Sequence, residues 1–212
     1  MNRSNNEEPC HLATLTEREC LSVLPWRAQA RASLRTSHGL TETQQLSFFR
    51  DVVCNPNAPH RYWAVRREIG GRFAGMAGLT FIQWENKLAE ISLIVDPAVR
   101  GLGKFAVWLV LKEAFDHMGL ATVIGECYAC NLPGLRFWRQ IADAYKADLV
   151  ELPRRKFYDG ALWPSLYFSI TDDNWKEHRH DAYSVACIAY QRGSDGGDVT
   201  GTNAQTHVTA AG

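Results

Sequence analysis

The sequence lacks a net charge and any long apolar run. Lys plus Arg and Asp plus Glu each total 23, which gives no electrostatic reason for binding nucleic acid or an anionic membrane. No apolar run approaches the roughly 20 residues that a membrane-spanning helix needs. The first ten residues, MNRSNNEEPC, also lack the apolar stretch of a signal peptide, which predicts a cytoplasmic protein.

The sequence has no feature of secretion to accompany its six cysteines, which are therefore expected to be reduced thiols. Cys127 and Cys130 form a C-x-x-C pair, but no second pair completes a zinc site. Their strand-like setting, VIGECYAC, would point the two side chains to opposite faces. We therefore expect neither a metal site nor a redox site.

The composition predicts one globular domain between two polar ends. Of the 212 residues, 46% are hydrophobic and 22% are charged, which is ordinary for a domain with a single core. We expect residues 1–10 to be a flexible N-terminus and residues 11–175 to form the domain. Residues 176–212 end in a stretch rich in Gly, Thr, Ser and Asp, which predicts a disordered tail.

The order of local patterns predicts a mixed α/β fold. Capping boxes at Thr16–Glu19 and Thr41–Gln44 each open a helix, and Asn131 is placed to cap a later one. Strand patterns cover RYWAVRR, FAGMAGLTF, LAEISLIV and TVIGECYA, with a buried helix, KFAVWLVLKEAFDHM, before the last of these. A YDG turn joins RRKF to LWPSLYFSI as a hairpin. We expect a central, mostly antiparallel sheet with one β-α-β crossover, flanked by helices.

The turn before the buried helix has the features of an anion-binding loop. A strand ending at Val95 leads into Arg100-Gly101-Leu102-Gly103-Lys104 at the start of the helix. Glycines let backbone amides approach an anion, and a helix N-terminus adds unpaired N–H groups and a positive dipole. The segment is neither a P-loop, which needs G-K-[ST], nor a G-x-G-x-x-G fingerprint. A pyrophosphate group would suit this turn.

This loop resembles that of the Gcn5-related N-acetyltransferase (GNAT) family, which reads [QR]-x-x-G-x-[GA] after a strand ending in V-x-P. Further blocks of the same resemblance are Trp26-Arg27, Thr41–Gln44, Ala89-Glu90-Ile91 and the segment Asn131–Trp138. The sequence departs from the family where Phe105 follows the loop, since the family has a small residue there. The resemblance covers roughly residues 12–170 and is closest to the branch that acetylates ribosomal-protein N-termini and amino sugars.

The resemblance implies an acetyl-CoA-dependent N-acetyltransferase with the GNAT fold and no metal, acting as a monomer or homodimer. It places acetyl-CoA against the end of the fourth predicted strand, the loop and the Asn131 cap: Leu93, Ile94, Val95, Arg100, Gly101, Leu102, Gly103, Lys104, Phe105 and Asn131. It places the acceptor amine beside Trp26, Arg27, Arg35 and His38.

Glu90 is the candidate general base, because a carboxylate on an inner strand face can take the proton of the attacking amine. Strand alternation puts it on the same face as Ser92 and Ile94. The general acid is open, since Trp138 stands where the family usually has tyrosine. Three tyrosines or a water molecule are the alternatives: Tyr128, Tyr145 and Tyr158.

Several functions fit these patterns. The acceptor is either a small amine, such as an amino sugar or amino acid, or a protein N-terminus. A second class is a catalytically degenerate protein that binds CoA or a partner as a sensor. A third is transfer of another acyl group, or transfer to another acceptor such as a nucleobase.

Overall fold

The fold is organised around a mixed β-sheet. The computed structural model describes residues 10–31, 34–35, 38–67 and 71–195. Within these residues the strands are β1 Cys10–Thr14, β2 Arg61–Arg67, β3 Phe73–Gln83, β4 Leu88–Val95, β5 Thr122–Tyr128, β6 Asp148–Tyr158 and β7 Ala161–Thr171. The α-helices are α1 Glu17–Ser22, α2 Leu24–Gln29, α3 Glu42–Phe48, α4 Leu102–Lys112, α5 Leu132–Ala144 and α6 Asp172–Asp195. Two of them, α3 and α4, continue into π-helical turns at Phe49–Val53 and Glu113–His117.

Both predicted capping boxes begin helices. The Thr16 hydroxyl accepts a hydrogen bond from the Glu19 amide at 3.3 Å, and the Glu19 carboxylate accepts one from the Thr16 amide at 2.9 Å. Thr41 and Gln44 repeat this exchange at 3.2 and 2.9 Å. Each box satisfies amides that the first helical turn leaves without a partner. The two helices therefore begin where the sequence predicts.

The sheet has the order β1-β2-β3-β4-β5-β7-β6. All neighbours are antiparallel except β4 and β5, which pair in parallel. A parallel pair needs a crossover connection, and here α4 supplies it. The predicted mixed α/β fold, with a mostly antiparallel sheet and one β-α-β crossover, is confirmed.

Helices cover both faces of the sheet. Ala64 and Val65 are adjacent on β2 but belong to opposite hydrophobic clusters, because successive side chains of a strand point to opposite faces. One cluster contains buried residues of α4, α5 and α6, and the other contains residues of α1 and α3. The predicted burial of α4 is also confirmed, since seven of its residues are buried: Leu102, Phe105, Ala106, Val107, Leu109, Val110 and Leu111.

The prediction of a disordered tail from residue 176 is wrong for residues 176–195. These residues belong to α6, which packs on α4. Trp175 is fully buried with its ring 5.7 Å from that of Trp108, and Ala182 and Ala186 bury a small-residue stripe further along the helix. The polar composition of α6 conceals this stripe. Residues 196–212 lie outside the described residues.

The N-terminal boundary also needs a small correction. Cys10 is completely buried in β1, an edge strand that pairs with β2 from Cys10↔Arg67 to Thr14↔Trp63. Cys10 therefore belongs to the domain rather than to the N-terminal segment, and residues 1–9 lie outside the described residues. Among the helices of the described ranges, none has both the length and the hydropathy that crossing a membrane requires.

Candidate active site

The N-terminal end of α4 has no side-chain cap. Gly101 is the N-cap residue with φ +78°, a left-handed conformation that favours glycine. Among the described residues, no side chain caps the first turn of this helix. Unpaired amides and the positive end of the helix dipole together attract an anion. Lys104, in the first turn, adds a positive charge beside them.

A cavity of about 590 Å³ opens at this end of α4. We call it the α4 cavity. Residues from β4, the α4 turn, α5 and α6 contribute to its wall, among them Leu93, Val95, Gly101, Gly103, Lys104, Trp138 and Ala189. It combines an anion-binding end with a long apolar wall.

The strands β4 and β5 separate beside this cavity. Their pairing covers only Leu88–Glu90 on β4 and Thr122–Ile124 on β5. Beyond Glu90, β4 keeps β3 as its strand partner and has none on the β5 side. A second cavity of about 370 Å³, the α2 cavity, is lined by Trp26, Ile94, Val95 and Asn131 next to this gap.

A third cavity, of about 360 Å³, contains the candidate base and is called the Glu90 cavity. It shares Leu93 and Trp138 with the α4 cavity, and it shares Ile94 and Asn131 with the α2 cavity. The three cavities therefore adjoin where β4 and β5 separate. A ligand that spanned the α4 and Glu90 cavities would pass Leu93 and Trp138.

Glu90 is the last residue of β4 that pairs with β5. It lies opposite Thr80 on β3 and Ile124 on β5. Its side chain is 18% exposed and forms an ion pair with Arg35, whose Nη2 lies 2.5 Å from Glu90 Oε1. Phe81 lies beneath Arg35, with its ring centre 5.4 Å from the guanidinium carbon.

The backbone of Phe81 is unusual. Its φ of +51° occurs at a register shift between Thr80 and Gln83. A positive φ is rare for a bulky residue, and such strain is concentrated at functional positions. The bulge places the aromatic ring in the wall of the Glu90 cavity.

Glu126 is a second carboxylate in the same cavity. It accepts hydrogen bonds from Arg155 Nε at 2.9 Å and Ser165 Oγ at 2.7 Å, and Arg35 lies 4.0 Å away. Burial alone would raise its pKa, but the hydrogen bonds from Arg155 and Ser165 outweigh burial and lower the pKa of Glu126. Glu126 is thus held in its charged form, with two hydrogen-bond donors on its Oε1.

The three candidate tyrosines differ in position. Tyr128 lines the Glu90 cavity, whereas Tyr145 is buried against Trp175 in the core, at 6.2 Å between ring centres. Burial raises the pKa of Tyr145 far above its usual value. Tyr158 is at the end of β6 and lines none of the three cavities. Burial, with a smaller contribution from the Glu126 charge, raises the pKa of Tyr128 and keeps its hydroxyl protonated.

The predicted acetyl-CoA residues divide into two groups. Seven of them line the α4 or α2 cavity: Leu93, Ile94, Val95, Gly101, Gly103, Lys104 and Asn131. The side chains of Leu102 and Phe105 are instead fully buried in the core, and the Phe105 ring packs on Trp108 and Tyr183. Arg100 lines none of the three cavities. The side chains of Arg100, Leu102 and Phe105 therefore do not line these cavities, although Leu102 and Phe105 belong to the first turn of α4.

The predicted acceptor residues do not meet in one cavity. Arg27 and Arg35 line the Glu90 cavity, and Trp26 lines the α2 cavity with its ring stacked on Phe73. His38 lines a smaller cavity of about 80 Å³, which also includes Arg27.

Sequence reasoning missed several residues of the Glu90 cavity: Tyr62, Phe81 and Glu126. For Glu126 a signal existed, because its strand follows β4 and alternation gives Glu126 the same face as Ile124, the parallel partner of Glu90. No comparable signal existed for Phe81, whose position depends on the β3 bulge.

Cys127 and Cys130 face different cavities. Cys127 is buried and lines the Glu90 cavity, while Cys130 lines the α2 cavity. Burial raises the pKa of the Cys127 thiol to about 11, so it stays protonated at neutral pH. In the part of the chain that the structure describes, no group of three or more His, Cys, Asp or Glu residues is arranged to hold a metal ion.

Comparison with known proteins gives independent information on this architecture. The spermidine/spermine N-acetyltransferase SpeG from Vibrio cholerae, in mutant forms, is 13% identical and has a TM-score of 0.66 over 80% of this chain and 97% of that chain. A dodecameric structure of spermidine N-acetyltransferase from the same organism is 13% identical, with a TM-score of 0.62 over 79% and 96%. At such identities the likeness shows the fold alone. A search of curated proteins finds no match.

The family is shown by sequence. The model of the acetyltransferase (GNAT) family matches residues 25–142. This match covers more than half of the chain and includes most of α2, β2 to β5, the α4 turn and most of α5. Members of this family use acetyl-CoA as a cosubstrate. The chain belongs to the GNAT acetyltransferase family.

Proposed function

We propose that this protein transfers the acetyl group of acetyl-CoA to a primary amine. The observation that carries the proposal is the junction of the α4 and Glu90 cavities where β4 and β5 separate. This junction joins an anion-binding helix end to a cavity that contains a carboxylate. Acetyl transfer needs both, since a phosphate-bearing donor and an amine acceptor must meet at one carbonyl carbon.

The residues of the α4 cavity fit acetyl-CoA. The diphosphate would bind at the amides of the α4 turn, with Lys104 nearby. Gly101 supplies the left-handed backbone of this turn and leaves space for the close approach of Ala189 of α6. The apolar wall from Leu93 to Trp138 would hold the pantetheine arm. Backbone groups of β4 beyond Glu90, which have no strand partner on the β5 side, would bind the thioester carbonyl.

In this proposal Glu90 is the base. It would accept the proton of the amine as the nitrogen attacks the thioester carbon, directly or through water. The Arg35 guanidinium holds the Glu90 carboxylate in place, 2.5 Å away. Tyr128 would donate a proton to the departing thiolate, because it is the candidate tyrosine that lines the Glu90 cavity.

A thiol-release assay with acetyl-CoA tests the proposal. The panel contains glucosamine, an amino acid, a peptide with a free N-terminus, a nucleobase and spermidine, which is the substrate named for the structural neighbours. We expect release of free CoA in step with an acetylated amine identified by mass spectrometry. CoA release that is equally fast without any amine, at saturating acetyl-CoA, would contradict transfer to an amine. It would indicate hydrolysis of acetyl-CoA instead.

One observation favours a second function. Trp138, which cannot usefully protonate a thiolate, occupies the junction of the α4 and Glu90 cavities, stacked 4.9 Å from Phe168. A catalytically degenerate protein would bind acetyl-CoA there as a sensor. The two functions are distinguished by the same assay, since a sensor raises its melting temperature with acetyl-CoA yet releases no thiol with any amine.

A further inference from the structure

The Glu90 cavity is surrounded by more positive than negative side chains. Its carboxylates are Glu90 and Glu126, and each already has an arginine partner, Arg35 at 2.5 Å and Arg155 at 2.9 Å. Two further cations are nearby: Arg27 lines the cavity, and Lys156 contacts the lining residues Tyr128 and Leu34. Among the described residues, neither of these two forms an ion pair. Arg27 and Lys156 are therefore two cations at the cavity that no carboxylate in the described part of the chain neutralises.

Arg27 is an incompletely satisfied cation. It lies on α2, lines both the Glu90 cavity and the adjoining cavity of about 80 Å³, and its Nε is buried without a hydrogen-bond partner. Burial lowers the pKa of its guanidinium, which shows that the protein environment disfavours the isolated charge. A buried donor without a partner is costly unless a ligand satisfies it. Because Arg27 also lines the cavity and has no carboxylate partner among the described residues, it is a candidate binding position for an anion.

Lys156 adds to the same imbalance. It is buried on β6, donates to the backbone carbonyl of Leu34, and lies 4.8 Å from the ring centre of Tyr128, which lines the Glu90 cavity. Burial lowers its pKa too. Its hydrogen-bond partner is a neutral carbonyl rather than a carboxylate, so its charge contributes fully to the field in the cavity.

We propose that the Glu90 cavity takes an acceptor that carries an anionic group, a carboxylate or a phosphate, together with its amine, and that Arg27 binds the anion. This inference rests on the proposed acetyl transfer. The amine would face Glu90 and the anion would face Arg27, with Lys156 and the neighbouring Arg31 strengthening the field. A polycation would meet Arg27 and the nearby Lys156, which no carboxylate of the described ranges neutralises, so spermidine is expected to be a poor acceptor here.

Two matched pairs of amines test the anion position: glucosamine 6-phosphate against glucosamine, and β-alanine against β-alaninamide. We expect the wild-type protein to favour the anionic member of at least one pair by about 10- to 100-fold in kcat/KM, the range for charge-assisted hydrogen bonds. Arg27→Gln should remove that preference, and Arg27→Lys should restore part of it. Arg18→Gln, at an exposed position of α1 away from the cavities, is the matched control and should keep the preference.

Calorimetric binding separates this inference from the proposed function. In one outcome, neither pair of amines releases thiol, but glucosamine 6-phosphate binds at least 10-fold more tightly than glucosamine and Arg27→Gln abolishes this difference. That outcome would contradict acetyl transfer and support Arg27 as the anion position. Equal affinity for the two sugars together with equal kcat/KM within both pairs would overturn the anion position. So would turnover that is fastest with spermidine, or a preference for the anionic member that survives in Arg27→Gln.

Discussion

Replacing Trp175 with alanine should remove the main anchor of α6. Its side chain is 1% exposed and lies within 6.2 Å, between ring centres, of Trp108, Phe115 and Tyr145. Its indole N–H donates a 2.7 Å hydrogen bond to the Asp116 carboxylate. Alanine would remove all of these contacts together, leaving a cavity between α6 and α4.

The structure sets the size of the effect. Truncating a buried Trp to Ala costs about 3–5 kcal/mol, and a hydrogen bond to a charged group contributes about 1.5–3 kcal/mol. Asp116 also pairs with Arg179 at 3.4 Å and with Lys112 at 3.6 Å. Because these partners remain in the variant, losing the Trp175 hydrogen bond should cost an amount at the low end of that range. We expect a total of about 5 kcal/mol, a large part of the stability of a typical domain. At about 2–4 °C per kcal/mol for a chain of this size, the melting temperature should fall by about 10–20 °C.

Thermal unfolding followed by circular dichroism measures this change. Trp175→Phe keeps most of the ring packing and loses the hydrogen bond, so it should lower the melting temperature by about 3–10 °C. Val185→Ala, at an exposed position of the same helix, is the matched control and should change stability by less than about 0.5 kcal/mol. If Trp175→Ala melts within about 2 °C of the wild type, α6 does not pack as described.

Trp175→Ala should also bind acetyl-CoA more weakly than the wild-type protein does. A side chain at Gly101 would meet the carbonyl oxygen of Ala189 at 2.3 Å, and Ala189 lines the α4 cavity. The C-terminal half of α6 is therefore part of the proposed cofactor site. Calorimetry well below the melting temperature should show reduced affinity for Trp175→Ala and unchanged affinity for Val185→Ala.

Three further changes test the site. Glu90→Gln should lower turnover at neutral pH by about 100- to 10,000-fold and leave acetyl-CoA affinity unchanged; an unchanged rate would exclude Glu90 as the base. Gly103→Trp should fill the α4 cavity and abolish the rise in melting temperature with acetyl-CoA, worth about 2.7 kcal/mol at 100 times Kd; a surviving rise would move the cofactor elsewhere. The pKa of Glu126 is lowered from 4.5, so its stabilising effect is present above that pH and is lost as the pH falls through the folded-state pKa. Glu126→Gln should thus lower the free energy of unfolding at pH 7 and leave it unchanged at about pH 2, as measured by urea unfolding. An equal loss of stability at both pH values would contradict the ion pairing.

Local patterns predicted most of the fold. Capping boxes, strand alternation and the glycine turn before α4 depend on residues close together in sequence, and each acts through backbone hydrogen bonds or side-chain direction over a few residues. Glu90 was chosen as the candidate base partly in this way, because alternation fixes its face on β4. In the α4 turn, Gly101 has φ +78°.

Features that depend on packing could not be predicted. The buried face of α6 consists mainly of Trp175 and small alanines, so its hydrophobic signal is weak and its fit depends on the shape of α4. The partner of Glu90 comes from 55 residues earlier in the chain, and no sequence periodicity connects the two. The contact of Phe105 with Tyr183 of α6 was missed for the same reason, because α6 itself was not predicted.

The two sides of the site therefore differ in how the sequence encodes them. The proposed cofactor side is built largely from one continuous segment, β4 and the α4 turn, whose geometry follows from local sequence. The proposed acceptor side combines Arg27 of α2, Arg35, Glu90 of β4 and Glu126 of β5, and changing any one of them leaves the α4 turn intact. A protein built this way can alter its acceptor while keeping its donor. Acceptor charge is thus the property to measure on this chain itself, because a shared fold does not determine it.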